Sequence, residues 1–110
     1  MSNWVPSAGD VIWVDLHPTI GHEQAGKRPA LVLSPGSYNA KTSLLIACPL
    51  TTQVKGYPWE VPMPDGSVVL TDRVKCLDWK FRNAMAKETA PPGVLQKVRE
   101  LLGTLLQIGN

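Results

Sequence analysis

The chain has 110 residues, of which 44% are aliphatic or aromatic, and a formal net charge of +2. That is one domain's worth of chain with enough apolar material for a core, which excludes a disordered, acidic tail. The small net charge also excludes a uniformly basic coat for DNA, so any nucleic-acid site has to be a local cluster of cations.

Taken in chain order, "GDVIWVDL" (residues 9–16) is β-branched and aromatic and opens on a Gly-Asp turn, which predicts a strand. "RPALVLS" (28–34) is a second strand, with Pro29 at a first position that tolerates a missing amide donor. "PGSYNAKT" is rich in turn formers, and "SLLIACPL" (43–50) is a third, buried strand. "GYPWEVPM" is a fourth, whose prolines suit a sheet edge, and "PDG" (64–66) signals a hairpin into a fifth strand, "SVVLTDRVKC". "LDWKFRNAM" is a short sixth strand.

The period then changes. Val94, Leu95, Val98, Leu101, Leu102, Leu105 and Leu106 recur at three- and four-residue spacing, one apolar face of a helix, with Pro91 and Pro92 in its first turn. Five or six short strands and one terminal helix predict a small, strongly curved antiparallel sheet, a partial barrel with the helix packed on it. There is no βαβ alternation, internal repeat or linker, and residues 1–110 are expected to form a single domain.

Cys48 and Cys76 are too far apart for a Cys-x-x-Cys metal knuckle, and two cysteines make a poor disulfide framework. Both are expected to be buried thiols of a cytosolic protein. The opening "MSNWVPSAGD" lacks the basic start and apolar core of a signal peptide, and no run approaches the about 20 apolar residues that span a bilayer. A soluble, cytoplasmic chain with no membrane partner is expected.

The stretch "HPTIGHEQAGKRP" (17–29) gathers both histidines, a glutamate, a lysine and an arginine between two predicted strands. Together with "CPLTTQVKGYPWEV" and "VVLTDRVKCLDW", it resembles the MazF/PemK/Kid family of bacterial toxin endoribonucleases in order and spacing over nearly the whole chain. The resemblance implies an SH3-like partial barrel and a homodimer that cleaves single-stranded RNA without metal or other cofactor. It also implies a small acidic, MazE-like antitoxin whose disordered tail occupies the RNA groove.

Cleavage by the neighbouring 2′-hydroxyl needs a proton acceptor, a proton donor for the leaving 5′-oxygen and positive charge at the phosphate. Arg28 falls on the family's arginine, and its planar, permanently charged fork suits transition-state stabilisation and hydrogen donation to the leaving oxygen. Thr51 falls on the family's catalytic threonine or serine; a hydroxyl is a poor base, so its task is donation to the phosphate. His22 falls on a loop histidine that some members use, and its ordinary pKa near 6.5 suits proton transfer near neutrality. Asp72 matches a strand aspartate proposed as the base in Kid-like members, but the arginine that precedes it there by two residues is Leu70 here. The acceptor therefore stays open among His22, Glu23, Asp72 and a water.

Glu23 is assigned to base recognition, since carboxylates accept from base amino groups. Gln24, Lys27 and Lys55 add polar and charged contacts, His17 is scaffold or an RNA contact, and Trp59 is the aromatic expected to meet RNA. Arg73, next to Asp72, is expected to point to the opposite face of a strand and so not to substitute for the missing arginine. An alternative of another class is a non-enzymatic poison of DNA gyrase with the same architecture. A silent RNA- or peptide-binding module is the third reading.

Overall fold

The computed structural model describes residues 3–16 and 26–109. Strands β1 (Asp10–Val14) and β2 (Arg28–Val32) form an antiparallel pair in which Val14 faces Arg28 and Trp13 faces Pro29. β3 (Leu44–Thr51) pairs with β2 on one edge. On its other edge it pairs first with β6 (Lys75–Asp78) and then with β5 (Val68–Leu70). β4 (Glu60–Pro62) extends the sheet beyond β5, and β7 (Met85–Thr89) extends it beyond β1. Among the described residues all seven strands belong to one open antiparallel sheet, with helix α2 (Pro92–Leu106) packed on one face of it.

Both faces of the central strands are covered, so adjacent residues such as Val11 and Ile12 are each fully buried. Val11, Leu31 and Cys48 meet Val94 and Val98 of α2 in one core. Ile12, Ala30 and Ala47 meet Leu45, Leu77 and Trp79 in the other, with Trp4 set edge-on against Trp79. The apolar stripe of α2 is spent unevenly. Val94 and Val98 are buried and Leu95 and Leu101 partly so, while Leu105 and Leu106 at the far end remain exposed.

Three elements differ from the sequence reading. Residues 36–42 form a helix, α1 (Gly36–Thr42), because Asn39 ties them down from a fully buried position. Its amide donates to Pro6 O at 2.8 Å and Ser34 O at 3.1 Å, and its carbonyl oxygen accepts from Ser34 Oγ at 2.7 Å. These tertiary bonds outweigh the local turn propensity. The second difference is the sixth strand, read as 77–85: its residues divide between β6, a turn over residues 79–84, and the start of the polar edge strand β7. The hairpin at 64–66 is present, with Met63 N donating to Ser67 O at 2.8 Å and Gly66 at a φ of +92°.

The third difference shapes the functional surface. Residues 67–76 do not run as one strand. Leu50 pairs with Val69 and Ala47 with Lys75, so six steps of the partner chain lie against three of β3. The surplus is taken up by a 3-10 turn at Thr71–Arg73, which side-chain alternation does not govern. The expectation that Asp72 and Arg73 face opposite ways is therefore corrected.

The cysteine reading is half right: Cys48 is buried, but Cys76, on β6, is exposed. Burial pushes the Cys48 thiol up to about 12, with the negative charge of Asp72 adding to the shift. The reactive thiolate is thus suppressed. In a Cys76→Ser chain, Cys48 is expected to resist alkylation at mildly alkaline pH until the protein is unfolded, as read by intact mass. Asn39→Ala, which strips the partners from buried polar groups, is expected to cost at least about 2 kcal/mol in chemical denaturation.

Candidate nucleic-acid interface

The β2–β3 ladder pairs Ala30 with Pro49 and Leu31 with Cys48. Carrying that register two residues further sets Arg28 opposite Thr51, although the two are far apart in sequence. Directly opposed residues share a face of the sheet. Both line one open cleft of about 850 Å³, whose walls also carry Arg73, Lys75 and Lys87 but, among the described residues, Asp65 as the single carboxylate. The positive charge missing from the overall composition is thus concentrated here.

Each cleft group has a defined chemical state. Thr51 Oγ1 accepts the backbone amide of Gln53 at 3.1 Å, which leaves its own hydrogen available to a ligand oxygen. Hydrogen bonds from the Ser67 hydroxyl and amide hold the Asp65 carboxyl below its usual range, so it stays ionised among the cations. Lys87 spans a cation–π contact to the Trp13 ring, at 5.3 Å from the centroid, and a 3.0 Å ion pair to Glu88.

A second cleft, of about 470 Å³, adjoins the first. They share a wall made of Thr51, Gln53, Leu70 and Arg73. The 3-10 turn places Asp72 in the second cleft and Arg73 in both. Opposite them stand Lys55 and the stacked rings of Tyr57 and Trp59, 4.8 Å apart and inclined by 22°. The loop bearing that pair is pinned by Glu60, whose carboxylate accepts the amides of Gly56 at 2.9 Å and Lys55 at 3.3 Å.

A turn remote in sequence fixes the walls around Arg28. Arg82 donates to Asp15 O at 2.8 Å and Leu16 O at 2.7 Å, and its own carbonyl accepts Asp15 N at 3.1 Å. Next to it, Asn83 O accepts the ammonium of Lys27 at 2.6 Å. One turn therefore holds the end of β1 and the residue just before Arg28. Leu16 is itself part of the first cleft's wall.

The structure thus brings Arg28 and Thr51 together in one cleft and places Asp72, Lys55 and Trp59 in its neighbour. Trp59 is half-buried, and its partner Tyr57 is the more exposed ring, at 48%. Lys27 lines neither cleft, its ammonium being engaged by Asn83. His17, His22, Glu23 and Gln24 lie outside the described residues. Sequence reasoning did not single out Lys75, Lys87, Asp65 or Arg82. They come from four separate places in the chain, and only the sheet topology assembles them.

An antiparallel sheet of this kind, with an arginine and a hydroxyl lining one cationic cleft, carries the donors that a phosphate backbone requires. The model of the PemK-like, MazF-like toxins of type II toxin-antitoxin systems matches residues 7–106, and the chain belongs to that family. It is 48% identical to the endoribonuclease toxin MazF of Escherichia coli, over 96% of this chain and 98% of that one. Its identity to the endoribonuclease PemK of Escherichia coli is 31%, over 89% and 80% of the two chains. Among solved structures, MazF of Deinococcus radiodurans superposes with a TM-score of 0.86 at 48% identity, covering 96% of this chain and 100% of that one. A MazE–MazF structure from the same organism gives 0.88 at 45% identity, with the same coverage.

Proposed function

We propose that this chain is a toxin endoribonuclease that cuts single-stranded RNA at chosen sequences without a metal, and so halts translation. The observation that carries the reading is that Arg28 and Thr51 line one cationic cleft, at positions that the β2–β3 register sets against each other when it is carried two residues past its last pair. The relatives named above are endoribonucleases, which favours RNA cleavage over the gyrase alternative.

The guanidinium of Arg28 grips two phosphate oxygens and meets the charge that builds on them as the 2′-hydroxyl attacks. The Thr51 hydroxyl, its lone pair taken by Gln53 N–H, donates its hydrogen to the same phosphate. The leaving 5′-oxygen takes a proton, giving a 2′,3′-cyclic phosphate and a 5′-hydroxyl. His22 is the proposed proton carrier, with Glu23, Gln24, His17 and Lys27 contributing recognition and support from the same stretch of sequence.

Two partners complete the reading. A second copy of the chain forms a homodimer, for which Ile46 and Val74 beside β6 and Leu105, Leu106 and Ile108 at the end of α2 offer exposed apolar surface. The second partner is an acidic antitoxin, whose carboxylates compete with RNA phosphates for the same cations.

The test is incubation of the protein with a long, structure-poor RNA in the presence of a chelator, followed by mapping of 5′ ends. Discrete cuts sharing a short sequence are expected; intact RNA together with inhibition of gyrase supercoiling would overturn the reading. Arg28→Ala is expected to lose about a hundredfold or more in cleavage rate with an unchanged melting temperature. Arg82→Ala, which frees the carbonyls of Asp15 and Leu16, is expected to lose about tenfold or more through misplacement of the cleft wall. Sedimentation at micromolar concentration is expected to give a dimer.

A further inference from the structure

We propose that the second cleft is a nucleobase subsite next to the cutting site, and that Asp72 makes it selective for a base carrying an exocyclic amino group. The proposal rests on the ribonuclease reading for its ligand, a single RNA strand, but it concerns groups outside the Arg28–Thr51 grip on the phosphate, and it gives Asp72 a base-selecting role in place of the proton-acceptor role considered above. The geometry points to it in three ways.

First, the clefts are continuous. A strand whose scissile phosphate lies between Arg28 and Thr51 crosses the common wall to reach the second cleft, and Arg73 stands on that wall facing both. A guanidinium there meets the next phosphate of the strand, because its fork matches two phosphate oxygens.

Second, the far wall is an aromatic platform. Tyr57 and Trp59 are stacked on each other, and Tyr57 keeps 48% of its surface open. Stacking on such a ring is favourable for any base and loses little side-chain entropy when the ring is already fixed. It is fixed here, since the Glu60 carboxylate bonds to the amides of Lys55 and Gly56 at the head of the same loop.

Third, the wall is asymmetric in its hydrogen bonding. Lys55 and Arg73 are pure donors suited to phosphate, and Gln53 both donates and accepts. Of the two carboxylates, Glu60 is occupied by backbone amides, whereas Asp72 is exposed on the 3-10 turn. An ionised carboxylate only accepts, so it pairs with the amino group of adenine, cytosine or guanine and repels the carbonyl edge of uracil. The stacking ring supplies affinity, and Asp72 supplies the choice.

The experiment uses short RNAs that differ only at the nucleotides flanking the mapped cut, together with the same strands made uncleavable by 2′-O-methylation. The wild-type chain is expected to disfavour uridine at one flanking position by about tenfold, in cleavage and in binding alike. Asp72→Asn, which turns an acceptor into a group that also donates, is expected to compress that ratio to about twofold. Tyr57→Ala is expected to weaken binding of every uncleavable strand roughly tenfold, whatever the base. Retention of the wild-type base preference by Asp72→Asn, or of full affinity by Tyr57→Ala, overturns the subsite. If the wild-type chain binds the uncleavable strands with these preferences but cuts none of the cleavable ones, the ribonuclease reading falls and the subsite stands.

Discussion

The register of β3 governs the rest of the molecule. This strand is hydrogen-bonded along both edges, and its central residues are buried on both faces, so a slip of one residue would turn Cys48 and Ala47 out of their separate cores. Held in that register, the start of β2 and the end of β3 bring Arg28 and Thr51 into the same cleft. The same constraint leaves the chain between β5 and β6 too long for its partner, and the excess becomes the turn that lifts Asp72 and Arg73 to the surface. Core packing and site geometry thus follow from one set of backbone bonds.

Electrostatics then act on a scaffold already fixed. Among the described residues, four cationic side chains and one carboxylate line a cleft in a chain whose overall charge is only +2. Two of those charges are held by groups around the cleft: Lys87 by Trp13 and Glu88, and Asp65 by Ser67. Fixed charges need little reorganisation when a phosphate arrives, which is the condition under which they contribute most to a transition state. The modest net charge also limits unselective attraction to nucleic acid, so discrimination falls to the groups around the clefts.

Much of this was legible in the sequence. Most of the strands and the terminal helix follow from hydrophobic period, because each is written in neighbouring residues, whereas Arg28 and Thr51 are singled out by the family resemblance and the fold brings them into one cleft. What failed depends on distant partners. Residues 36–42 look like turn, and only the burial of Asn39 against Pro6 and Ser34 makes them helical. The interruption at Thr71–Arg73 is invisible without the offset between the two ladders of β3. Met85–Thr89 is a polar edge strand with no alternation to detect. Lys75 and Lys87 joined the cleft for the same reason: their roles come from topology, not from local pattern.

The turn around Arg82 gives Arg28 a footing that its sequence neighbours do not supply. Asp15 and Leu16 on one side and Lys27 on the other are fastened to the same six-residue turn, so the backbone leading into Arg28 is set independently of what joins those two points. A change at the β6–β7 turn is therefore felt at Arg28 from far away in the sequence, through both strand ends at once.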